Sequence, residues 1–277
     1  MTTTFTILGC ASSGGVPRAG AGDLKAMWGA CDPKNPKNTR LRCSALIRRT
    51  AVGDSIDQQT VCIIDTGPDF RQQMLANDVR RVDGVLYTHE HADHIHGIDD
   101  LRPFAIGMRK RIPVHVTDGA NARLQEAFGY CFQTPEGSNY PPILDRHALQ
   151  PTRTVDVTGP GGPIRCLPIP VAHGDIEALG FRIGDVAYLP DLNGLDALAK
   201  SKLTNLDILV IDALRYTTHP SHFNVDQALK VHAELAPRRT ILTNLHTDLD
   251  YQTLSENTPD DVEPAYDGMS FDVAGHE

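Results

Sequence analysis

Short apolar segments recur along the chain, and most of them end at a polar residue or at a glycine. Their lengths of about 4–8 residues and their many β-branched residues predict β-strands. The predicted strands are FTILG (5–9), CSALIRR (43–49), TVCIIDTG (60–67), DGVLYTH (83–89), IPVHVT (112–117), IRCLPIPVAH (164–173), LGFRIGDVAYLPD (179–191), DILVID (207–212) and RTILTNLH (239–246).

Two stretches between these strands carry helix signals. PDFRQQMLAND begins behind Pro68 and places Phe70 and Met74 on one face. NVDQALKVHAELAP offers Asn224 as an N-cap with Gln227 three residues later, which is the pattern of a capping box. Strands dominate the early part and helices lie between pairs of strands, which favours an α+β protein with stacked sheets covered by helices.

Residues 118–150 are rich in Tyr, Phe, Pro and Gly. We expect them to form an insertion over one end of the fold, either as a plain long loop or as a lid.

Composition limits the classes of function. The chain of 277 residues has a net charge of −9, which argues against extended nucleic-acid binding through a basic face. Its six cysteines are scattered and form no C-x-x-C pair, as expected for reduced thiols in the cytoplasm. Neither a membrane span nor a signal peptide is predicted, because long apolar runs are lacking and the chain enters a strand directly.

The segment YTHEHADHIHG at 87–97 concentrates metal-binding side chains at the end of a predicted strand. His89 and His91 lie two residues apart in extended chain and therefore point to the same side. Asp93 and His94 follow where the chain turns toward a helix. Imidazole nitrogen suits zinc, manganese or iron, and a carboxylate adds charge compensation. Four ligands this close are best explained by two adjacent ions, one held by His89 and His91 and the other by Asp93 and His94.

Further ligands of the same type close three other predicted strands. His173 ends CLPIPVAH, Asp191 ends VAYLPD and His246 ends TILTNLH. A single residue of this kind is more often a cap or a hydrogen-bonded polar group. Together with the cluster at 89–94, the three predict a shared site at one edge of the sheets.

THEHADH followed by a later His, Asp and His resembles the metallo-β-lactamase superfamily, and the resemblance covers nearly the whole chain. It implies a single domain over residues 1–277 with an αββα sandwich and a dinuclear metal site at one edge. It also implies which residues bind each of the two metal ions. One ion takes His89, His91 and His173, the other takes Asp93, His94 and His246, Asp191 bridges them, and Asp65 orients the ligand histidines from behind.

Several motifs resemble the cyclic-phosphate phosphodiesterase branch of this superfamily. They are GCASSGGVPR, CDPKNPKNTRLRCSALI, HADHIHGIDDLRP, LPD, HPSHFNVDQAL and LTNLHTDLDY. The branch places a histidine that protonates the leaving oxygen just before a helix, a position that His222 matches, with His219 as the alternative. It commonly has its last metal histidine directly after Leu-Thr, where this chain has Asn244, so His246 is assigned two residues later on the parity of an extended segment.

The resemblance implies a cytoplasmic phosphodiesterase with two divalent ions, zinc or manganese. The ions share a water that becomes the hydroxide nucleophile, and the expected substrate is a small cyclic phosphate or nucleotide-like phosphodiester. No membrane partner is expected, and a homo-oligomer stays open. The alternatives are a nuclease of the tRNA 3′-processing type, a protein of the pyrroloquinoline quinone biosynthesis type, and a nucleotide-binding sensor without turnover.

Weaker candidates for phosphate contacts lie near the start of the chain. The small-residue loop at 12–15 could bring backbone N–H groups to a phosphate, although an ordinary turn fits equally. Arg18, Arg40 and Arg42 could pair with phosphate oxygens or stand as solvated surface arginines.

Overall fold

The computed structural model describes residues 1–20, 22–51 and 58–274. The domain predicted over residues 1–277 therefore includes residues 21, 52–57 and 275–277, which lie outside the described part, and its extent stays a prediction. The strands are β1 (Thr2–Gly9), β2 (Ser44–Thr50), β3 (Gln59–Ile64), β4 (Gly84–Leu86), β5 (Ile112–Val116), β6 (Leu144–Ala148), β7 (Val155–Val157), β8 (Ile164–His173), β9 (Ile176–Ile183), β10 (Val186–Leu189), β11 (Ile208–Asp212), β12 (Arg239–Thr243), β13 (Val262–Pro264) and β14 (Ser270–Asp272).

The helices lie between these strands, as the sequence pattern favours. They are α1 (Leu24–Trp28), α2 (Phe70–Ala76), α3 (Ala92–Ile95), α4 (Arg102–Met108), α5 (Asp118–Phe132), α6 (Ala197–Ser201), α7 (Val225–Leu235) and α8 (Tyr251–Glu256), with short 3₁₀ turns at Pro36–Asn38 and Ile98–Leu101. The two helices predicted from sequence are confirmed as α2 and α7. In α7 the side chain of Asn224 accepts from the Gln227 amide and the Gln227 side chain accepts from the Asn224 amide, so the capping box is complete. None of the helices in these residues is long and apolar enough to cross a membrane.

Two seven-stranded sheets form the centre of the protein. The first has the order β14-β1-β2-β3-β4-β5-β6 and the second β13-β12-β11-β10-β9-β8-β7. Within the first, β3, β4, β5 and β6 run parallel, and within the second, β10, β11, β12 and β13 run parallel. Because parallel strands share one carboxyl edge, polar residues that follow them collect at that edge.

Three apolar layers hold the sheets and helices together. Phe5 and Ile64 of the first sheet pack with Phe181 and Tyr188 of the second in a core between the sheets. A second core lies on the other face of the first sheet against α2, α4 and α5, and a third on the other face of the second sheet against α6, α7 and α8. The architecture is therefore the expected αββα sandwich.

The run predicted over 179–191 is divided into β9 and β10 by a tight turn. Gly184 has φ +57°, and a Cβ there would lie 2.2 Å from the carbonyl oxygen of Ala274. Only glycine fits that conformation and that approach, so the turn breaks the strand.

Residues 118–150, expected as a lid or an insertion, are largely framework. Thr117 caps the start of α5, and β6 pairs with β5 from Ile112↔Leu144 to Val116↔Ala148. The exposed polar side chains of β6 hide this strand in the sequence, because an edge strand needs few apolar residues. A lid role stays a prediction only for the loop at 133–143.

Arg40 is a buried arginine rather than a surface or phosphate-binding one. Its side chain is 1% exposed, and it donates to the carbonyl oxygens of Leu249 (2.8 Å) and Lys37 (3.2 Å) and to Oδ1 of Asn38 (3.0 Å). These bonds fasten the loop before β2 to the loop before α8.

Arg40→Met should lower the free energy of unfolding by about 3 kcal/mol, because it leaves buried oxygens without a charged donor. Denaturant unfolding followed by circular dichroism measures the change. Arg80→Met is the matched control, since Arg80 is an exposed arginine paired with Asp78 and should leave the free energy of unfolding nearly unchanged. Equal effects of the two substitutions would contradict the structural role of Arg40.

Candidate metal centre

The first sheet supplies the His-x-His-x-Asp-His cluster after β4, and it supplies Asp65 from the end of the neighbouring strand β3. Asp65 directly follows β3 and His89 comes shortly after β4, its parallel neighbour. His91 precedes α3, and Asp93 and His94 lie within that helix, so a strand end and the first turn of a helix present all four side chains together.

The second sheet supplies its polar residues from equivalent strand ends. His173 is the last residue of β8, Asp191 follows β10, Asp212 ends β11 and Asn244 follows β12. Because β10, β11 and β12 are parallel neighbours, three of these side chains share one edge. Asp191, Asp212 and Asn244 are almost completely buried.

The two edges meet in a compact set of donor atoms. Nδ1 of His91 lies 2.9 Å from Nε2 of His89 and 3.2 Å from Nε2 of His173. Nε2 of His94 lies 3.1 Å from Oδ2 of Asp191 and 3.5 Å from Oδ2 of Asp93. The structure therefore brings together six of the seven predicted ligands in two adjoining groups.

Hydrogen bonds on the far side of the His89, His94 and His173 rings determine which nitrogen of each faces the cluster. Nδ1 of His173 donates to the carbonyl oxygen of Ser221 (2.7 Å), and Nδ1 of His94 donates to Oδ2 of Asp65 (2.7 Å). The Thr88 hydroxyl gives its hydrogen to Oδ2 of Asp65 (2.8 Å), so it must accept from Nδ1 of His89 (2.9 Å). A neutral imidazole whose Nδ1 carries the proton has a lone pair on Nε2.

Nε2 of His89 and of His173 converge on Nδ1 of His91, and Nε2 of His94 lies 3.1 Å from the Asp191 carboxylate, so these donor atoms repel one another unless a proton or a metal cation lies between them. Three imidazole nitrogens from His89, His91 and His173 suit a zinc-type ion. The nitrogen of His94 with the carboxylates of Asp93 and Asp191 suits a second divalent ion. The residues thus fit two adjoining metal ions, and Asp65, through His94 and Thr88, orients the ligands as the resemblance implies.

The pKa shifts of the cluster residues also indicate a site that attracts positive charge. Burial lowers the pKa of His94, but the charges of Asp191 and Asp65 outweigh burial and raise that pKa well above its usual value. Burial raises the pKa of Asp191, but His94 and His89 outweigh it and hold that pKa below its usual range. Burial lowers the pKa of His89 well below its ordinary value. The carboxylates therefore attract positive charge, and His89 stays neutral as a ligand must be.

His246 is the predicted ligand that the structure places outside these groups. Its Nδ1 lies 2.9 Å from the Asp248 carboxylate, and the metal-type clusters found in the described residues do not include it. Asn244 has φ +61°, so the chain turns left-handed there and the parity argument for an extended segment does not hold. The amide of Asn244 instead lies 3.2 Å from Oδ1 of Asp191. The ligand role of His246 stays a prediction.

His222 lies at the boundary between the cluster and the cavity. Its Nδ1 donates to Oδ2 of Asp212 (2.8 Å), and its ring centroid lies 4.7 Å from that of His173. Burial lowers the pKa of His222, but the hydrogen bond and charge of Asp212 outweigh it and raise the pKa. His222, His173 and Asp191 also place donor atoms within 4.8 Å of one another, so the geometry allows either an acid or a ligand.

Asp212 is the functional residue that sequence reasoning missed. It is fully buried, accepts from the Leu192 amide (3.1 Å) and from His222, and lies 3.1 Å from the Asn244 amide nitrogen. Burial raises its pKa to about 7. The sequence does contain a signal for Asp212, because this residue ends the predicted strand DILVID just as Asp191 ends VAYLPD.

A cavity of about 380 Å³ opens over the cluster. His91, Asp93 and Asp191 lie on one wall, and His222 and Asn244 lie beside them. The remaining polar lining is Ser12, Ser13, Arg18, Arg215, His219 and His246. Of the three arginines considered from sequence, only Arg18 reaches this cavity, since Arg40 is buried elsewhere and Arg42 pairs with Asp69 at 3.1 Å.

Comparison with known proteins agrees with this architecture. The family model described as the beta-lactamase superfamily domain matches residues 60–244, well over half of the chain. A crystal structure described as a new diphosphatase from the PhnP family is 30% identical, with a TM-score of 0.82 over 98% of this chain and 97% of that one. Zinc-bound PqqB from Methylobacterium extorquens is 17% identical, with a TM-score of 0.74 over 98% of this chain and 100% of that one, and shows the same fold.

A curated relative is an octanoyltransferase from Porphyromonas gingivalis (strain ATCC BAA-308 / W83), 31% identical over 268 residues. The match covers 95% of this chain and 50% of that protein, so the chain spans about half the length of the curated relative it matches. The family model and the PhnP-family structure carry the assignment: the chain belongs to the beta-lactamase superfamily, and its likeness to the PhnP-family diphosphatase confirms the resemblance to the phosphodiesterase branch of the metallo-β-lactamase fold.

Proposed function

We propose that the protein is a metal-dependent phosphodiesterase that hydrolyses a small cyclic phosphate or a nucleotide-like phosphodiester. The supporting observation is the cavity of about 380 Å³ with the metal-ligand cluster on one wall and arginine, serine and histidine side chains on another. Such a lining suits an anion that contacts metal ions on one side and N–H and O–H donors on the other.

Bound divalent cations supply positive charge to phosphate oxygens and lower the pKa of a water nucleophile. The carboxylate of Asp191 lies between the two groups of metal-ligand atoms, so it could contact a metal ion in either group. Ser221 and Asp65 hold the ligand rings from behind, which keeps the donor atoms aimed at the reacting phosphate. Zinc and manganese are the proposed metals, and the donor types suit both.

His222 is the proposed general acid. The hydrogen bond from its Nδ1 to Asp212 leaves Nε2 as the atom that can carry a proton toward the substrate. The same bond stabilises the protonated ring, which is the form an acid needs. Protonation of the departing oxygen at the cavity is the role that the geometry supports, with His219, whose ring centroid lies 5.0 Å from that of His222, as the alternative.

The size and charge of the molecule favour a small substrate. A net charge of −9 repels a long polyanion, whereas a metal pair reverses the potential only locally. A tRNA-processing activity is therefore disfavoured. The compact donor cluster, which brings together six of the predicted ligands, disfavours a nucleotide-binding sensor that has lost turnover. We further propose a cytoplasmic enzyme, since all six cysteines are buried and free; a homo-oligomer stays open.

Bis-p-nitrophenyl phosphate should be hydrolysed by the metal-replete protein, and removal of metal by a chelator should abolish the activity. Release of p-nitrophenolate measures the rate, and restoration of activity by zinc or manganese controls for damage by the chelator. Turnover of thioesters or β-lactams alone would contradict a phosphodiesterase.

His222→Ala should retain its metals but lose about 10²–10⁴-fold in turnover of a substrate with an alkoxide leaving group, the usual range for general acid catalysis. The loss should be small for p-nitrophenolate, which departs without a proton. Rates on the two substrates, with metal content measured on the same sample, test the role. His147→Ala, a change of an exposed histidine outside the cavity, is the matched control.

Two outcomes would remove His222 from this role. Equal losses on both substrates in a metal-replete variant would leave His219 or a metal-bound water as the proton source. Loss of a metal ion from the variant would make His222 a ligand, as its distance to Asp191 also allows.

A further inference from the structure

Two histidines stand side by side at the β6 edge of the first sheet. His115 of β5 and His147 of β6 occupy directly opposite positions in the parallel pairing of these strands. Their ring centroids lie 5.1 Å apart, and the ring planes are inclined by 30°. Opposite positions on neighbouring strands project their side chains to the same face of a sheet, so the backbone register holds the two imidazoles together.

The histidine pair opens on a cavity of its own. This cavity has a volume of about 410 Å³, and both His115 and His147 line it. Among the described residues, none that lines it also lines the cavity over the metal centre. The pair therefore offers its ring nitrogens to a ligand that is separate from the metal centre.

The ring of His115 lies largely inside the protein without using its nitrogens there. The residue is 9% exposed, and the described residues contain no hydrogen-bond partner for its ring. Burial, assisted by the charge of His147, lowers the pKa of His115 to about 4, so the ring is neutral near pH 7. A neutral imidazole keeps a lone pair on one nitrogen, as a metal ligand must. Buried polar groups normally have partners, so this ring indicates a partner that comes from the cavity.

A carboxylate lies beside the pair. Asp145 precedes His147 by two residues on β6, and its Oδ2 lies 3.4 Å from Nε2 of His147. The charged residues that line the cavity are Arg153 and Asp156, and Asp156 also pairs with Arg165 at 3.3 Å. Asp145 pairs with no lysine or arginine within the described part of the chain. Its negative charge is therefore available to a cation that the imidazoles bind.

The strand that carries His147 has few apolar contacts to hold it. β6 is the last strand of the first sheet, and of its five residues only Leu144 is buried. Backbone hydrogen bonds to β5 thus provide most of its attachment. A ligand bound by both His115 and His147 would add a cross-link between the edge strand and its neighbour.

We propose that His115 and His147 form a separate metal site that binds one zinc-type divalent ion between β5 and β6, with Asp145 beside it. Imidazole nitrogen suits zinc, nickel and copper, and water completes the coordination of an ion that has few protein ligands. Two imidazoles hold this ion less tightly than the larger donor groups of the metal centre hold theirs, so it exchanges with the solution. The site is structural, and it does not depend on the proposed phosphodiesterase activity.

Equilibrium dialysis against free zinc tests the site in protein whose metal centre is already filled with zinc, so that no metal replaces another. The wild type should bind about one more zinc ion per chain than His147→Gln. Gel filtration into zinc-free buffer should remove this ion and leave those of the metal centre. His147 is about half exposed, so its replacement should leave the fold intact, which circular dichroism checks.

His232→Gln is the matched control. His232 also lies beside a carboxylate, that of Asp261 at 3.5 Å, but no second imidazole adjoins it among the described residues. This variant should bind as many zinc ions as the wild type. Asp145→Asn should weaken the binding of the additional ion about tenfold, the smaller effect expected of a group that supports a ligand.

Thermal unfolding gives a second readout, because an ion that binds only the paired strands stabilises the folded state. With the metal centre filled, free zinc should raise the Tm of the wild type and of His232→Gln but not that of His147→Gln. Equal zinc content in the wild type and His147→Gln would overturn the site. Loss of the additional ion from His232→Gln as well, or a zinc-dependent rise in Tm that persists in His147→Gln, would also contradict it.

Discussion

Nitrogen lone pairs and carboxylate oxygens converge at one edge of the two sheets, where they repel one another unless positive charge lies between them. Much of the surrounding structure holds them there. Parallel strands deliver Asp65 and His89 from one sheet and Asp191 from the other. Hydrogen bonds from behind then keep Nε2 of His94 and His173 aimed inward. Burial of these groups would be costly without a partner, so metal binding and the stability of this edge are linked.

The same edge connects the cluster to the cavity. Asp212 lies between them, since it accepts from His222 and lies 3.1 Å from the amide of Asn244, which in turn approaches Asp191. Hydrogen bonds through Asn244 and Asp212 therefore connect Asp191 to the proposed acid. Arg18 and Arg215 line the same cavity and carry positive charge, which favours an anionic ligand there.

Much of the fold and most of the cluster could be predicted from sequence, for identifiable reasons. The strands that precede His89, His173 and Asp191 are buried and apolar, so their pattern is strong and their last polar residues stand out. The strands β6, β7, β13 and β14 are short strands at or near sheet edges, which leave little apolar signal. Residues 118–150 contain β6, whose sequence carries little strand signal, and for this reason the sequence suggests an insertion there.

The site residues that escaped prediction depend on tertiary contacts. The left-handed conformation of Asn244 turns the chain after β12 and separates His246 from the cluster, and a strand pattern carries no sign of that turn. The role of Asp212 is visible only from the hydrogen bond that it accepts from His222. The structural role of Arg40, outside the site, is visible only from the carbonyl groups that it binds. Asn244 lies 32 residues from Asp212 and Leu249 lies 209 residues from Arg40, so composition and spacing do not reveal these contacts.

The most direct measurement is the number of metal ions bound per chain. Elemental analysis of metal-replete protein should find about two divalent ions per chain, and Asp191→Ala should lower that number because its carboxylate adjoins both donor groups. Asp78→Ala, which removes an exposed carboxylate that pairs with Arg80 and not with the ligands, should leave it unchanged. A content of about one ion per chain that Asp191→Ala does not alter would contradict the paired-metal centre.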